Sequence, residues 1–215
     1  MRLVLPRLYV ILDAALLPAD KTEMECATAF AEAGVRLLQY RNKSAPARQL
    51  LESSRSLAEA LQSRGVTFLV NDRPDVAALA GADGVHVGQE DVEVAAARGV
   101  VGAGKLVGVS THNLEQFRAA AATSADYIAV GPIFPTTSKA NPDPVVGLEL
   151  LREARRLTEK PIVAIGGISL AHAADVLHAG ADAVAAISGI LRAPDPAEKA
   201  RRYIAALEAA KDAAA

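Results

Sequence analysis

Cysteine is almost missing from this chain: its 215 residues include one, Cys26. A lone thiol excludes an intramolecular disulfide and a multi-cysteine zinc site. The surrounding Thr22-Glu-Met-Glu-Cys26-Ala-Thr-Ala-Phe-Ala-Glu32 has a helical pattern and predicts a buried, inert group. Aromatic residues are also scarce, at 4% of a chain that is 51% hydrophobic. The core is therefore expected to be Ala, Val, Leu and Ile. Neither sign of charge is in excess, since 23 Lys and Arg face 25 Asp and Glu for a net charge of -2. That balance excludes the basic field of a nucleic-acid binder and an acidic tail. Any anionic ligand must then be held by local cations, because the whole chain slightly repels it. Long hydrophobic runs are missing too. Met1-Arg-Leu-Val-Leu-Pro6-Arg7-Leu-Tyr-Val-Ile-Leu-Asp13 is too short and interrupted for a signal peptide or membrane span. The expectation is a cytoplasmic protein with neither membrane nor nucleic acid as partner.

What is present is a regular alternation of short β-branched runs and Ala-rich helical stretches. The expected strands are Leu8–Leu12, Val35–Gln39, Val66–Val70, Gly84–Val87, Leu106–Val109, Tyr127–Val130, Ile162–Ile165 and Ala183–Ile187. Their near-continuous apolar character suits parallel strands covered on both faces. Helical patterns lie between them at Ala47–Gln62, Asn113–Ala122, Leu148–Leu157 and Leu170–His178. A final helix opens at Asp195-Pro196-Ala-Glu198 with the makings of a capping box. Similar phrases announce several strands, among them Ala-Gly81-Ala-Asp-Gly-Val and Ala-Gly180-Ala-Asp-Ala-Val. No linker divides the chain. Eight βα units predict one (β/α)8 TIM barrel over residues 1–215, with its chemistry on the loops after the strands. The long irregular stretch from Pro132 to Gly147 reads as an active-site loop.

Those loops carry the polar residues. Gln39, Arg41 and Lys43 alternate as the chain leaves the second strand, so amide, guanidinium and ammonium converge. Arg grips phosphate oxygens bidentately and Lys adds a mobile charge; a solvated strand end with a surface ion pair is the plain alternative. Asn71-Asp72 and Asp91 put two carboxylates on neighbouring loops, the hard oxygen set that Mg²⁺ prefers beside a diphosphate. Asp72 as a helix cap and Asp91 in a first turn would be the ordinary explanation. In Gly131-Pro-Ile-Phe-Pro-Thr136-Thr137-Ser138-Lys139, hydroxyls followed by a lysine suit a leaving phosphate, and a simple turn has no need of the lysine. Gly166-Gly167 and Ile187-Ser188-Gly189 follow the last two strands, where barrels often bind a phosphate. The histidines lack metal-ligand spacing. His172 and His178 belong to an outer helix, His86 to a strand inside the barrel, and His112 to the rim, where its role stays open.

Taken in order, these segments resemble the thiamine-phosphate synthase family along nearly the whole chain. The resemblance is carried by Gln39-x-Arg41-x-Lys43, Asn71-Asp72, Ala82-Asp-Gly-Val-His86-Val-Gly-Gln89-x-Asp91 and Gly108-x-Ser110-x-His112. It continues in Gly131-Pro-Ile-Phe-Pro-Thr136-x-Ser138-Lys139, Ile165-Gly-Gly167-Ile and Ile187-Ser188. It implies coupling of 4-amino-5-hydroxymethyl-2-methylpyrimidine diphosphate to a thiazole phosphate. Gln39, Arg41, Lys43, Asn71, Ser110 and Lys139 would bind the pyrimidine diphosphate, with Arg41, Lys43 and Lys139 as the catalytic cations. Asp72 and Asp91 would hold Mg²⁺. Thr136 and Ser138 would contact the thiazole or its loop, and Gly167, Ile187 and Ser188 its phosphate. Ser138 stands where the family more often has threonine. A thiazole tautomerase on the same barrel and a non-catalytic thiamine-phosphate binding protein are the alternatives; neither needs the Arg41/Lys43 and Asp72/Asp91 sets. Oligomeric state and the carboxylation of the thiazole are left open.

Overall fold

The computed structural model describes residues 3–136 and 143–212. Eight parallel strands close in sequence order into a barrel. They are β1 (Leu8–Asp13), β2 (Leu37–Arg41), β3 (Thr67–Asn71), β4 (Gly84–Val87), β5 (Leu106–Thr111), β6 (Tyr127–Val130), β7 (Ile162–Ile165) and β8 (Ala183–Ala186). Outside lie α1 (Glu23–Glu32), α2 (Ala47–Gln62), α3 (Pro74–Ala80), α4 (Val94–Val101), α5 (Leu114–Ala121), α6 (Gly147–Leu157) and α7 (Ala173–His178). The short α8 (Ser188–Leu191) and the long α9 (Pro196–Asp212) complete the ring. None of the described helices is long and apolar enough to cross a membrane. Cys26 is buried in α1, and burial pushes its thiol up.

Alternation sorts each strand between two cores. Val10, Leu12, Leu38, Tyr40, Phe68 and Val70 point outward and pack beneath the helices. Tyr9, Ile11, Leu37, Leu69, Tyr127, Ala129, Val163 and Ala185 fill the barrel itself. A one-residue slip would exchange the two sets, so the register Ile11↔Gln39↔Leu69 is strongly specified.

The repeated Ala-Asp phrases have a structural reason. Asp83, Asp126 and Asp182 each precede an even-numbered strand. Their side chains accept from Phe68 N, Val107 N and Ile162 N of the preceding strand at 2.8, 2.7 and 2.8 Å. Each carboxylate closes the foot of a strand pair, satisfying an N–H that the ladder does not use. Helix starts are equally local. Thr22 and Glu25 form a full capping box on α1. Asp195 accepts from Glu198 N at 2.9 Å, whereas the Glu198 carboxylate turns to Arg201 at 3.1 Å, so the anticipated box on α9 is closed from one side.

Strand limits differ from expectation where polar residues find partners inside the barrel. β2 begins at Leu37, because Gly34 and Val35 complete the turn after α1 with Val35 N bonded to Phe30 O. It then runs on through Gln39 to Arg41, so both are strand residues. β5 extends to Thr111, whose hydroxyl donates to Ala129 O across the ladder. The helix expected over Leu170–His178 is a 3₁₀ turn at Leu170–His172 followed by α7.

Candidate active site

At the C-terminal mouth, the inward positions of β1 to β5 change from apolar to polar. Gln39, 2% exposed, donates its Nε2–H to Tyr9 Oη at 2.6 Å. One turn of alternation higher, Arg41 Nη1 is ion-paired with Asp13, itself 2% exposed and anchored by Ala15 N at 3.0 Å. One guanidinium nitrogen is thereby fixed, and the side chain keeps 20% of its surface exposed. Beyond the strand, Lys43 Nζ sits 3.1 Å from Asp72 Oδ2 with its side chain 58% exposed. Gln39 and Arg41 are alternate residues on one face of β2, and Lys43 follows beyond the strand end. Asp13, which fixes Arg41, gave no sequence signal beyond its place at the end of an apolar run.

Asp72 does not cap α3; that helix starts after Arg73, which pairs with Asp75. Asp72 has φ of 62°, the left-handed region that non-glycine residues seldom occupy and that Asp tolerates better than most. Its N–H is held by His86 O at 2.8 Å. Asp91 lies ahead of α4 rather than in its first turn, and its Oδ2 accepts from Gly88 N at 2.7 Å. Burial, and then the neighbouring Asp72 carboxylate, push the Asp91 carboxyl up from its ordinary value. Two adjacent carboxylates, one of them raised by the other, fit a divalent cation. No cluster of three or more His, Cys, Asp or Glu is present among the described residues. A pair suits Mg²⁺, which keeps several waters and takes its remaining ligands from substrate phosphates.

The other half of the mouth, over β5 to β8, is a cavity of about 320 Å³. Ser110, Thr136, Gly167, Ile187 and Ser188 of the expected set line it. Gly167 is obligatory there: its φ is +64°, and a Cβ would meet Pro135 O at 2.3 Å. The loop after β6 is thus stitched onto the loop after β7, with Ile133 N bonded to Ile165 O and Phe134 N to Gly166 O. Ser138 and Lys139 lie outside the described residues. His112 lines the cavity with Nδ1 2.6 Å from Gly131 O and 3.5 Å from Asp143 Oδ2. A carbonyl only accepts, so Nδ1 carries the proton and the ring fastens the loop. Among the lining residues that the sequence did not single out are two from a distant helix. Lys199 and Tyr203 come from α9, four residues apart on one helix face. The Tyr203 hydroxyl donates to Ile168 O at 2.9 Å and docks the helix on the loop after β7.

The thiamine monophosphate synthase family model matches residues 8–190. A thiamine-phosphate synthase of Koribacter versatilis is 50% identical over 205 residues, covering 94% of this chain and 96% of that protein. One from Chloroflexus aurantiacus is 44% identical, covering 97% and 95%. Among solved structures, a thiamine phosphate pyrophosphorylase from Pyrococcus furiosus superimposes with a TM-score of 0.85. It is 34% identical, with 95% and 96% of the two chains covered.

Proposed function

The chain belongs to the thiamine monophosphate synthase family and is a transferase of that kind, and on that premise we propose how its residues share the reaction. The bond between the pyrimidine methylene carbon and the diphosphate oxygen breaks, and the diphosphate leaves with the electron pair. The thiazole nitrogen then gives its lone pair to the methylene carbon, and the product ring carries the positive charge. No protein nucleophile is required. What limits such a step is negative charge gathering on the leaving oxygens, and fixed cations are the usual remedy.

Arg41, held by Asp13, and Lys43 face that leaving group, joined by Lys139 from the loop after β6. Arg41 is pre-set by its buried partner, so little reorganisation accompanies the charge shift. Asp72 and Asp91 would hold Mg²⁺, which supplies further neutralisation of the diphosphate. Gln39, Asn71 and Ser110 orient the pyrimidine. Thr136 and Ser138 contact the thiazole, and Gly167, Ile187 and Ser188 receive its phosphate. Lys199 supplies the cation that those neutral groups lack, since among the described residues no carboxylate pairs with it.

The observation that carries this reading is the division of the mouth. Cations and paired carboxylates gather over β1 to β4, and a separate cavity ringed by glycines and hydroxyls opens over β5 to β8. A tautomerase acting on a thiazole phosphate alone would use the second half and leave the first without a task. The test is thiamine phosphate formation from the two phosphorylated halves, with Mg²⁺ and with EDTA. Product that depends on Mg²⁺ is expected; thiazole isomerisation with no coupling under either condition would overturn the reading.

A further inference from the structure

Inside the barrel runs a chain of five side chains whose protons can be placed one by one. Gln39 Nε2–H donates to Tyr9 Oη at 2.6 Å, and Tyr9 Oη is 3.0 Å from Tyr127 Oη. Tyr127 Oη lies 2.8 Å from His86 Nδ1, and His86 Nε2 lies 2.8 Å from Ser110 Oγ. Tyr9 and Tyr127 are essentially sealed from solvent. Distances leave the direction of the inner bonds open, and counting donors closes it.

Tyr9 already accepts from the Gln39 amide. Its own proton therefore has one buried acceptor in reach, Tyr127 Oη. Tyr127, receiving that bond, must send its proton to His86 Nδ1. An imidazole that accepts at Nδ1 carries its proton on Nε2, and that proton goes to Ser110 Oγ. The serine hydrogen is left pointing to the cavity that Ser110 lines. The reverse direction fails at Tyr9, whose hydroxyl proton would be buried without an acceptor, a state native interiors avoid. Burial pushes both phenols well above their ordinary range, so neither loses its proton and reverses the order.

We infer that Tyr9, Tyr127 and His86 are positioning residues that transmit one proton polarity from Gln39 to Ser110, so that Ser110 meets its substrate as a hydrogen-bond donor. Resting on the synthase reading, the substrate atom facing Ser110 is then an acceptor. In the aminopyrimidine that atom is a ring nitrogen, because the exocyclic amino group is a donor. Gly108 belongs to the same construction: a Cβ there would fall 2.0 Å from Tyr127 Cζ.

The inference is tested first on the wild-type protein labelled with ¹⁵N-histidine, with the His86 signals assigned by their loss in His86→Gln. A protonated Nε2 and a pyridine-like Nδ1 are expected. A proton on Nδ1, or an average of the two tautomers, would overturn the inference. Tyr127→Phe should then release the tautomer to an average and raise KM for the pyrimidine diphosphate about tenfold, the scale of one well-made hydrogen bond. KM for the thiazole phosphate should not move. Ser110→Ala should raise the same KM with the tautomer intact, and Ser110→Thr should restore it; an unchanged KM in Tyr127→Phe and Ser110→Ala would sink the idea. Wild-type protein that makes no thiamine phosphate would instead refute the synthase reading, while the tautomer measurement would still decide the polarity of the chain.

Discussion

Gly108 carries no side chain because Tyr127 occupies the space: a Cβ would sit 2.3 Å from the phenol oxygen as well as against the ring. Gly108→Ala must displace the ring or bend β5. Either way the Tyr127–His86 bond is lost, and urea melts should show destabilisation of at least about 1–3 kcal/mol, the ordinary cost of overpacking. An unchanged midpoint would mean that the barrel interior is looser than these distances. Tyr40 gives a pH-dependent case. Burial, reinforced by its hydrogen bond to Glu23, pushes its phenol up to about 12. The folded state thus holds this proton more tightly than the unfolded chain, whose tyrosine titrates near 10. Its stabilisation is complete below pH 10 and is lost as pH rises through 12. Melting temperatures of wild type and Tyr40→Phe, compared from pH 8 upward, should differ less at the alkaline end; parallel curves would refute the assignment. Residues of this kind mark the limit of sequence reading. Arg41, Lys43, Asp72 and Asp91 stood out because charge after an apolar run is unusual. Tyr9 and Tyr127 did not, because each is part of an apolar run and acquires its role from a strand distant in sequence, and Asp13, although a charge after an apolar run, has its partner Arg41 on another strand.

At the scale of elements, the strand pairs β3–β4, β5–β6 and β7–β8 share one fastening. In the last pair, Asp182 binds Ile162 N at 2.8 Å and receives Arg155 Nη1 at 2.8 Å from α6. Asp126 does the same with Val107 N and Arg98 of α4. Asp182→Ala would orphan the Ile162 N–H and leave Arg155 with only its carbonyl partners Thr158 O and Lys160 O, at a cost of about 1–3 kcal/mol for the unpaired buried group. Denaturant melts would register this, and a loss below about 0.5 kcal/mol would show that water replaces the carboxylate without penalty. Eight strands and their order were readable because both faces of each are buried, which leaves almost unbroken apolar runs. Boundaries were less so: Arg41 looks like a loop residue until the interior offers it Asp13. α9 is a different kind of omission. Its start was marked by Asp195-Pro196, yet nothing in its Ala-rich sequence says that it leans over the cavity. Lys199→Met should raise KM for the thiazole phosphate about tenfold or more, as expected for one charge-assisted contact. KM for the pyrimidine diphosphate should stay put, and steady-state kinetics with each substrate varied in turn would separate the two.

Across the whole molecule, a net charge of -2 opposes two anionic substrates, so binding depends on where a few charges are set. Asp72 and Asp91 are the sharpest instance, because Lys43 offsets only part of the repulsion within the pair and a metal cation would offset the rest. Burial and Asp72 raise the Asp91 carboxyl, so the metal-free protein is strained at this point as pH rises past the ordinary carboxylate range. Asn in place of Asp91 would keep an oxygen for the Gly88 N–H and remove one of the two like charges. In metal-free buffer near neutral pH, Asp91→Asn should therefore be at least as stable as wild type. The same variant should lose the rise in melting temperature that Mg²⁺ with inorganic diphosphate gives the wild type through selective binding to the folded state. A carboxylate kept for structure would behave oppositely, costing stability without metal and leaving the ligand response intact. Melts of both proteins with EDTA, with diphosphate alone and with Mg²⁺ plus diphosphate would tell a metal-holding pair from a structural one.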